Sequence, residues 1–407
     1  MRNHSAKPSI RRPEPAGASA TADQEKDQGF ALAAADQESI LSEAVGSGLE
    51  QRWLSWHYRS KHESLISFSN VKYYNGNLQV FPGPPEAREG LGIRVTYVGG
   101  LFDRGKTRTN EVEARAIVTE ITERIQVNPS ASIGVVTFNT QQRDLILDLL
   151  EQSESVEVRR ALERDEEAVF VKNLENVQGD ERDVILFSIA FARNPETGTF
   201  SHNFGPLNNS GGERRLNVAI TRAREEVVLF SSIRSGDIDP SKTQAEGLLH
   251  LKEYLAYAEH GGLAGPGGAL QFNADDLYRE ELAEALRQAR LEVVTDVGTS
   301  KFRVDVAVRA SEDHGWLAIV LDTPEWAKRQ TTADRESLPS EILQRVMGWQ
   351  DTVQVLLPAW IQGREAVISD IVARAEALAP AVPEERDSAV PGEAADSFDE
   401  ESDRPED

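Results

Sequence analysis

The sequence predicts an α/β protein, a parallel-sheet domain followed by a smaller α/β domain, between disordered termini. Three observations lead there. Four apolar runs, Ile93–Val98, Ile133–Phe138, Asp183–Ala190 and Glu226–Ile233, have the length and composition of buried strands. Segments with the apolar spacing of amphipathic helices, Glu111–Ile125 and Gln141–Leu150, each follow a strand closely, as βα units require. Finally, a glycine-rich stretch around Pro266, His260–Phe272, divides the chain in composition and pattern.

The elements can be taken in order. Residues 1–37 are rich in Ala, Ser, Pro, Gln and charge without apolar periodicity, and read as a mobile arm. Residues 38–259 form the first domain and 260–272 the linker. Residues 273–380 form the second, with a helix over Asp275–Ala289, strand-like EVVTDV, FRVDVAV and WLAIVLD, a helix around Ser340–Met347, strand-like TVQVLLP and a last helix through Ala375. Residues 381–407 carry eleven acidic side chains against Arg386 and Arg404, the mark of a disordered acidic tail.

Composition narrows the function. With no cysteine there is no disulfide, thiolate metal site or thiol nucleophile. The absence of any run of 18 apolar residues and of an apolar leader makes the cytoplasm, without a membrane, the expected place. A net charge of −24 weighs against nucleic-acid binding, which draws on lysine and arginine, but much of it sits in the tail. A motor that tracks a strand needs only a local basic surface.

Four segments carry the functional signal. In WLSWHYRSKHESLISFSNVKYYNGNL aromatic and basic residues interleave densely. Tyr58 offers a face to a nucleobase and Arg59 a fork to phosphate oxygens, although ordinary core and surface aromatics would read the same way. In NVQGDERDVILFSIA a polar turn joins a buried strand, with Gly179 suited to positive φ. GGERRLNVAITRAREEVVLF reads as a helix from about Glu213 on which Asn217, Thr221 and Arg224 stand three or four residues apart, with Arg222 free to reach a phosphate. IGVVTFNTQQRDLI places Thr137, Asn139 and Gln142 at the carboxyl edge of a strand, where open α/β sheets bind ligands.

Together, over about Ser39–Ile233, these segments resemble the C-terminal part of superfamily 1 DNA helicases of the AAA-type, RNA-surveillance-like group. The resemblance implies a RecA-like fold, the second motor domain of such a helicase, with ATP and Mg2+ as cofactors and DNA as partner. Tyr58 would stack on the adenine, and Arg59, Gln178, Gly179, Glu181 and Arg224 would line the nucleotide. Arg222 would be the arginine finger, and Thr137, Asn139, Gln142 and Thr221 would face nucleic acid.

Gly100–Thr107, GLFDRGKT, satisfies the Walker A pattern. A phosphate loop must run straight into a helix, yet Asn110 and Glu113 look like a capping box that starts the helix later. The expectation is therefore that the lysine and magnesium-binding half of the ATP site belongs to a first RecA-like domain, in the same longer protein or a separate chain. A free-standing P-loop NTPase using Lys106 is the alternative.

The second domain resembles the very-short-patch-repair-like, restriction-endonuclease-like modules appended to such helicases, through the Arg303-Val304-Asp305 strand, WLAIVLD and the Gly348-Trp349 pair. By that resemblance Glu280, Asp305 and Asp322 would hold magnesium. Val320 stands where a further acidic ligand belongs, and Glu325 and Trp326 where a histidine is often found, so a degenerate nuclease is expected. A non-catalytic DNA-binding or assembly module and a working magnesium nuclease stay open beside it.

Overall fold

The computed structural model describes residues 40–50, 53–85, 90–262, 274–329 and 331–378. The expected arm at 1–37, the linker from residue 263 to 272 and the acidic tail at 381–407 lie outside the described residues. The chain divides into two units, Met1–Leu54 and Ser55–Asp407. In the first, the described structure is one short helix, α1 (Ile40–Gly46).

In the second unit, five parallel strands form one sheet: β3 (Gly92–Tyr97), β4 (Ile133–Thr137), β5 (Phe170–Asn173), β6 (Arg182–Ser188) and β7 (Ala223–Ser231), in the order β3-β7-β6-β4-β5. Alternate residues feed opposite faces, as a pleated strand requires. Val135, Leu186 and Val228 pack under α3 (Glu111–Val127), α4 (Thr140–Glu151) and α5 (Val156–Glu163). Val136, Phe187 and Leu229 pack under α2 (Ser64–Tyr73), α6 (Gly212–Ile220) and α7 (Glu246–Glu259). This is the RecA-like, two-sided parallel sheet that the apolar runs predict. The sequence reading did not single out β5 or α5.

A second, four-stranded sheet has the order β11-β10-β9-β8, built from β8 (Glu292–Val297), β9 (Val304–Arg309), β10 (Leu317–Leu321) and β11 (Asp351–Val355). The β10–β11 pair is parallel and the other two are antiparallel. One face packs on α8 (Ala274–Gln288) and α12 (Arg364–Ala377), with Trp360 of α11 (Leu357–Gln362). The other packs on α10 (Leu338–Arg345), Trp349 and Phe302. The short helix α9 (Pro324–Ala327) follows β10. The expected strand TVQVLLP ends early, because Leu357 and Pro358 open α11, with proline in the first turn where no amide hydrogen is needed.

The segment preceding the first sheet also belongs to this unit. Its short strands β1 (Trp56–His57) and β2 (Gln79–Val80) pair in parallel. Among the described residues no helix is long and apolar enough to cross a membrane.

Candidate functional site

Three segments distant in sequence meet where β6 and β7 begin. Arg182 pairs with Ala223 in register, and the Arg182 amide donates to the Arg222 carbonyl at 3.2 Å. The 56–62 segment is brought alongside by the Lys61 amide, which donates to the Arg224 carbonyl at 2.7 Å, and by a Lys61–Glu225 ion pair at 2.8 Å. Its shape is held internally by His57 Nε2 on Ser60 Oγ at 2.9 Å and His62 Nδ1 on Ser64 Oγ at 2.7 Å. Burial, aided by the nearby Arg59, lowers the His57 pKa to about 4, so the ring is neutral at pH 7.

Glu181 then joins two of these segments. It pairs with Arg59 at 3.0 Å and with Arg224 at 3.6 Å. Arg224 also meets Asp183 at 2.7 Å and Glu167 at 3.2 Å. Burial opposes its charge, but the hydrogen bond and field of Asp183, with Glu167, outweigh that and raise its pKa.

Arg222 is different. It is half-buried, its Nε donates to the Val218 carbonyl at 2.7 Å and its Nη2 to Thr221 Oγ1 at 3.2 Å, and no carboxylate among the described residues forms an ion pair with it. Burial, then the neighbouring Arg59, pull its pKa down, with Glu181, Tyr74 and Asp180 acting the other way. A guanidinium with unequal protein compensation next to two further arginines is suited to a polyanion.

The rest of the predicted set lies around or away from this cluster. Tyr58, 59% exposed, offers its ring to solvent beside Arg59. Gln178 and Gly179 are exposed on the turn before Glu181. Gly179 adopts φ +93° with open space where a side chain would stand, so backbone conformation alone calls for glycine. The expected run of helical spacing through Arg224 is corrected. Helix α6 stops at Ile220, Thr221 Oγ1 bonds back to the Asn217 and Val218 carbonyls, and Arg224 already lies in β7. Thr221 thereby joins the arginine end of the sheet.

Thr137, Asn139 and Gln142 occupy the opposite, carboxyl end. Thr137 is fully buried and donates to the Asn139 carbonyl at 2.9 Å, while Asn139 caps α4 by accepting from the Gln142 amide at 2.8 Å. Gln142, also fully buried, accepts from the Asn110 amide at 2.8 Å and donates to Ser188 Oγ at 3.1 Å. These side chains hold the loop's shape. A seven-residue strand such as β6 separates the two ends by about 20 Å.

Glu113, which the sequence reading used only as a helix-capping signal, is fully buried at this end. It accepts from Ser188 Oγ at 2.8 Å and from the Ala190 amide at 2.6 Å. Asn110 caps α3 as expected, accepting from the Glu113 amide at 3.2 Å. The reciprocal half of the capping box is absent, because the Asn110 amide donates to Gln142 instead.

The Walker-like stretch is a turn that ends before α3 begins at Glu111. Lys106 is exposed and paired with the equally exposed Glu196 at 2.7 Å. Gly100 is required for another reason: an added Cβ would come within 2.0 Å of Asn110 Oδ1.

On the second sheet and the helix α8 that packs on it, the three expected metal ligands are occupied separately. Glu280 is exposed, with Arg287 at 3.9 Å; Asp305 accepts from the Leu321 amide at 2.8 Å; Asp322 accepts from the Leu357 amide at 2.8 Å. Burial raises the Asp305 pKa to about 6. Among the described residues no group of three or more His, Cys, Asp or Glu is placed to hold a metal ion, so the arrangement does not fit the expected magnesium site. Asp183, Glu167 and Tyr74 are participants at the arginine cluster that sequence reasoning missed. Asp183, inside the GDERD turn, and Tyr74, inside the aromatic and basic segment, had a local signal; Glu167 had none.

Comparison with known proteins agrees with this division. Residues 98–234 match the AAA domain family, and residues 278–374 match the REase_MTES_1575 family. The chain is 35% identical over 243 residues to an uncharacterized ATP-dependent helicase, MG140, of Mycoplasma genitalium, covering 58% of this chain and 21% of that protein. It is 36% identical over 128 residues to the DNA replication ATP-dependent helicase/nuclease DNA2 of Mus musculus, covering 31% of this chain and 10% of that one. The Arabidopsis thaliana regulator of nonsense transcripts 1 homolog is 27% identical over 238 residues, covering 54% of this chain and 18% of the relative. The chain thus spans about a fifth or less of the length of these relatives. The similarity is to helicases over the first sheet and to the REase_MTES_1575 family over the second.

Proposed function

We propose that this chain is the C-terminal motor portion of an ATP-dependent superfamily 1 helicase acting on DNA. It supplies one wall of an ATP site that a first RecA-like domain completes. The observation that carries the reading is Arg222: a half-buried guanidinium with no paired carboxylate among the described residues, flanked by Arg59 and Arg224, which Glu181 ties together. Tyr58 stacks on the base, Arg59 and Arg224 approach the phosphates, and Gln178, Gly179 and Glu181 link that wall to the strand that follows.

Arg222 stabilises charge as the terminal phosphoryl group leaves, the arginine-finger role. Magnesium brought with ATP would be held by the other domain, since of the carboxylates near Arg222, Glu181 is paired with Arg59 and Arg224 and Asp180 with Lys172. The loop shaped by Thr137, Asn139 and Gln142, at the far end of the sheet, meets the nucleic-acid backbone. The restriction-endonuclease-like domain, of very-short-patch-repair type, is degenerate, because Val320 stands at a ligand position and Asp305 and Asp322 each accept from a backbone amide.

The test is ATP hydrolysis. The chain alone is expected to show no turnover. Joined to a first RecA-like domain it is expected to show DNA-stimulated turnover, which Arg222→Ala reduces by about a thousandfold or more. Turnover by the chain alone that Lys106→Ala abolishes would overturn the reading in favour of a free-standing P-loop enzyme.

A further inference from the structure

The segment bearing Tyr58 and Arg59 is gripped from two sides. On one side lies the Lys61–Arg224 backbone bond already described. On the other lies the second sheet. Trp56 stacks on Phe81 with ring centroids 5.1 Å apart and an interplanar angle of 27°, and Phe81 meets Phe302 at 4.5 Å. Phe81 is fully buried in the same apolar cluster as Val304, Ala318, Val320 and Trp349, with Trp56 packed against it.

Polar contacts fix the register of this docking. Ser300 Oγ accepts from the Val80 amide at 3.0 Å and donates to the Val80 carbonyl at 2.8 Å. Trp349 Nε1 donates to the Pro82 carbonyl at 2.8 Å, and the Thr299 amide donates to Glu63 Oε1 at 2.8 Å. Val80 is the register partner of His57, the residue immediately before Tyr58.

We infer that the nuclease-like domain is a brace for the nucleotide site, with Ser300 and Phe302 as positioning residues that hold Tyr58 and Arg59 through Val80, Phe81 and Trp56. The inference rests on the nucleotide reading of Tyr58. It also gives a reason for Val320: the position where a metal-ligating carboxylate is expected is buried in the cluster that seats Phe81, where an unpaired charge would be costly. An aromatic stack with matched hydrogen bonds fixes geometry more tightly than apolar contact alone, and displacement of a ligand-facing group by even 1 Å weakens its interaction severely.

The experiment uses the full chain with Ser300→Ala, the milder variant, and Phe302→Ala, with Phe302→Leu as rescue. Two quantities are read: amide hydrogen exchange over residues 56–62 of the chain, and the affinity for a fluorescent ADP analogue of the chain joined to a first RecA-like domain. Faster exchange in Ser300→Ala, and affinity about tenfold weaker, are expected, with Phe302→Leu recovering most of what Phe302→Ala loses. In a Tyr58→Ala background the further effect of Ser300→Ala on affinity is expected to shrink to the part that acts through Arg59, since the remainder acts through one contact. Unchanged exchange over 56–62 in both alanine variants would overturn the brace. So would an affinity loss that persists in full without Tyr58. If instead Tyr58→Ala binds like the parent, the nucleotide reading of that residue fails, while the exchange data still decide whether the second sheet holds the segment.

Discussion

At the scale of single residues, burial decides the chemistry of Glu113. Its carboxyl is enclosed at the end of β6, and burial raises its pKa from 4.5 to about 8 against the hydrogen bonds from Ala190 and Ser188 that favour the anion. Between those two values the folded chain keeps a proton that the unfolded chain has released, so stability falls as pH rises through that window. Glu113→Gln keeps the neutral form at every pH. Thermal unfolding is expected to show the variant gaining on the parent between pH 5 and 8, by on the order of 5 °C; parallel profiles would show that Glu113 ionises in the fold as it does in the open chain. The sequence announced this residue only through its spacing from Asn110. Nothing local could show that its side chain turns inward while Gln142, 29 positions on, takes the Asn110 amide. Tyr58, Arg59, Glu181 and Arg222 stood out because each sits in a distinctive run of neighbours, and Tyr74 shares the run of Tyr58 without being singled out from it; Glu167 did not stand out, because only folding brings it near.

Elements show what the arginine end of the sheet depends on. Helix α6 crosses α7 at a glycine pair: a Cβ on Gly212 would lie 2.5 Å from the Leu207 carbonyl oxygen, and one on Gly247 would meet that same oxygen at 2.5 Å and the Gly212 carbonyl carbon at 2.8 Å. Backbone atoms have no rotamer to yield, so the contact sets how closely α6 lies on α7, and with it the place of Arg222 at the end of α6. Gly247→Ala is expected to destabilise the chain by about 1–3 kcal/mol in chemical denaturation. It should also weaken nucleotide binding although it touches no ligand; an unaltered midpoint would mean that the helices separate freely. The strands of the first sheet were readable because each is a continuous apolar run, the signature of burial on both faces. The four-residue β5 lacked enough length to declare itself, and the end of α6 was misplaced because the Thr221 back-bonds that close it depend on side-chain geometry that periodicity does not encode.

For the whole molecule, the parallel sheet separates the two sites proposed. The arginines gather where β6 and β7 begin, and the loop held by Thr137, Asn139 and Gln142 lies where β4 ends. A signal between them must pass through strands whose side chains are packed on both faces. The second sheet was legible as an element order, but its role was not. Its resemblance to nucleases pointed to Glu280, Asp305 and Asp322, whereas folding turns each carboxylate to a separate partner and lends one face of the sheet to Trp56 and Phe81. Binding of a fluorescent ATP analogue to the chain joined to a first RecA-like domain, compared between the parent, Arg222→Ala and Lys106→Ala, tests the central claim most directly. The account predicts that Arg222→Ala loses most of the affinity and Lys106→Ala keeps it; affinity lost with Lys106 and retained without Arg222 would contradict it.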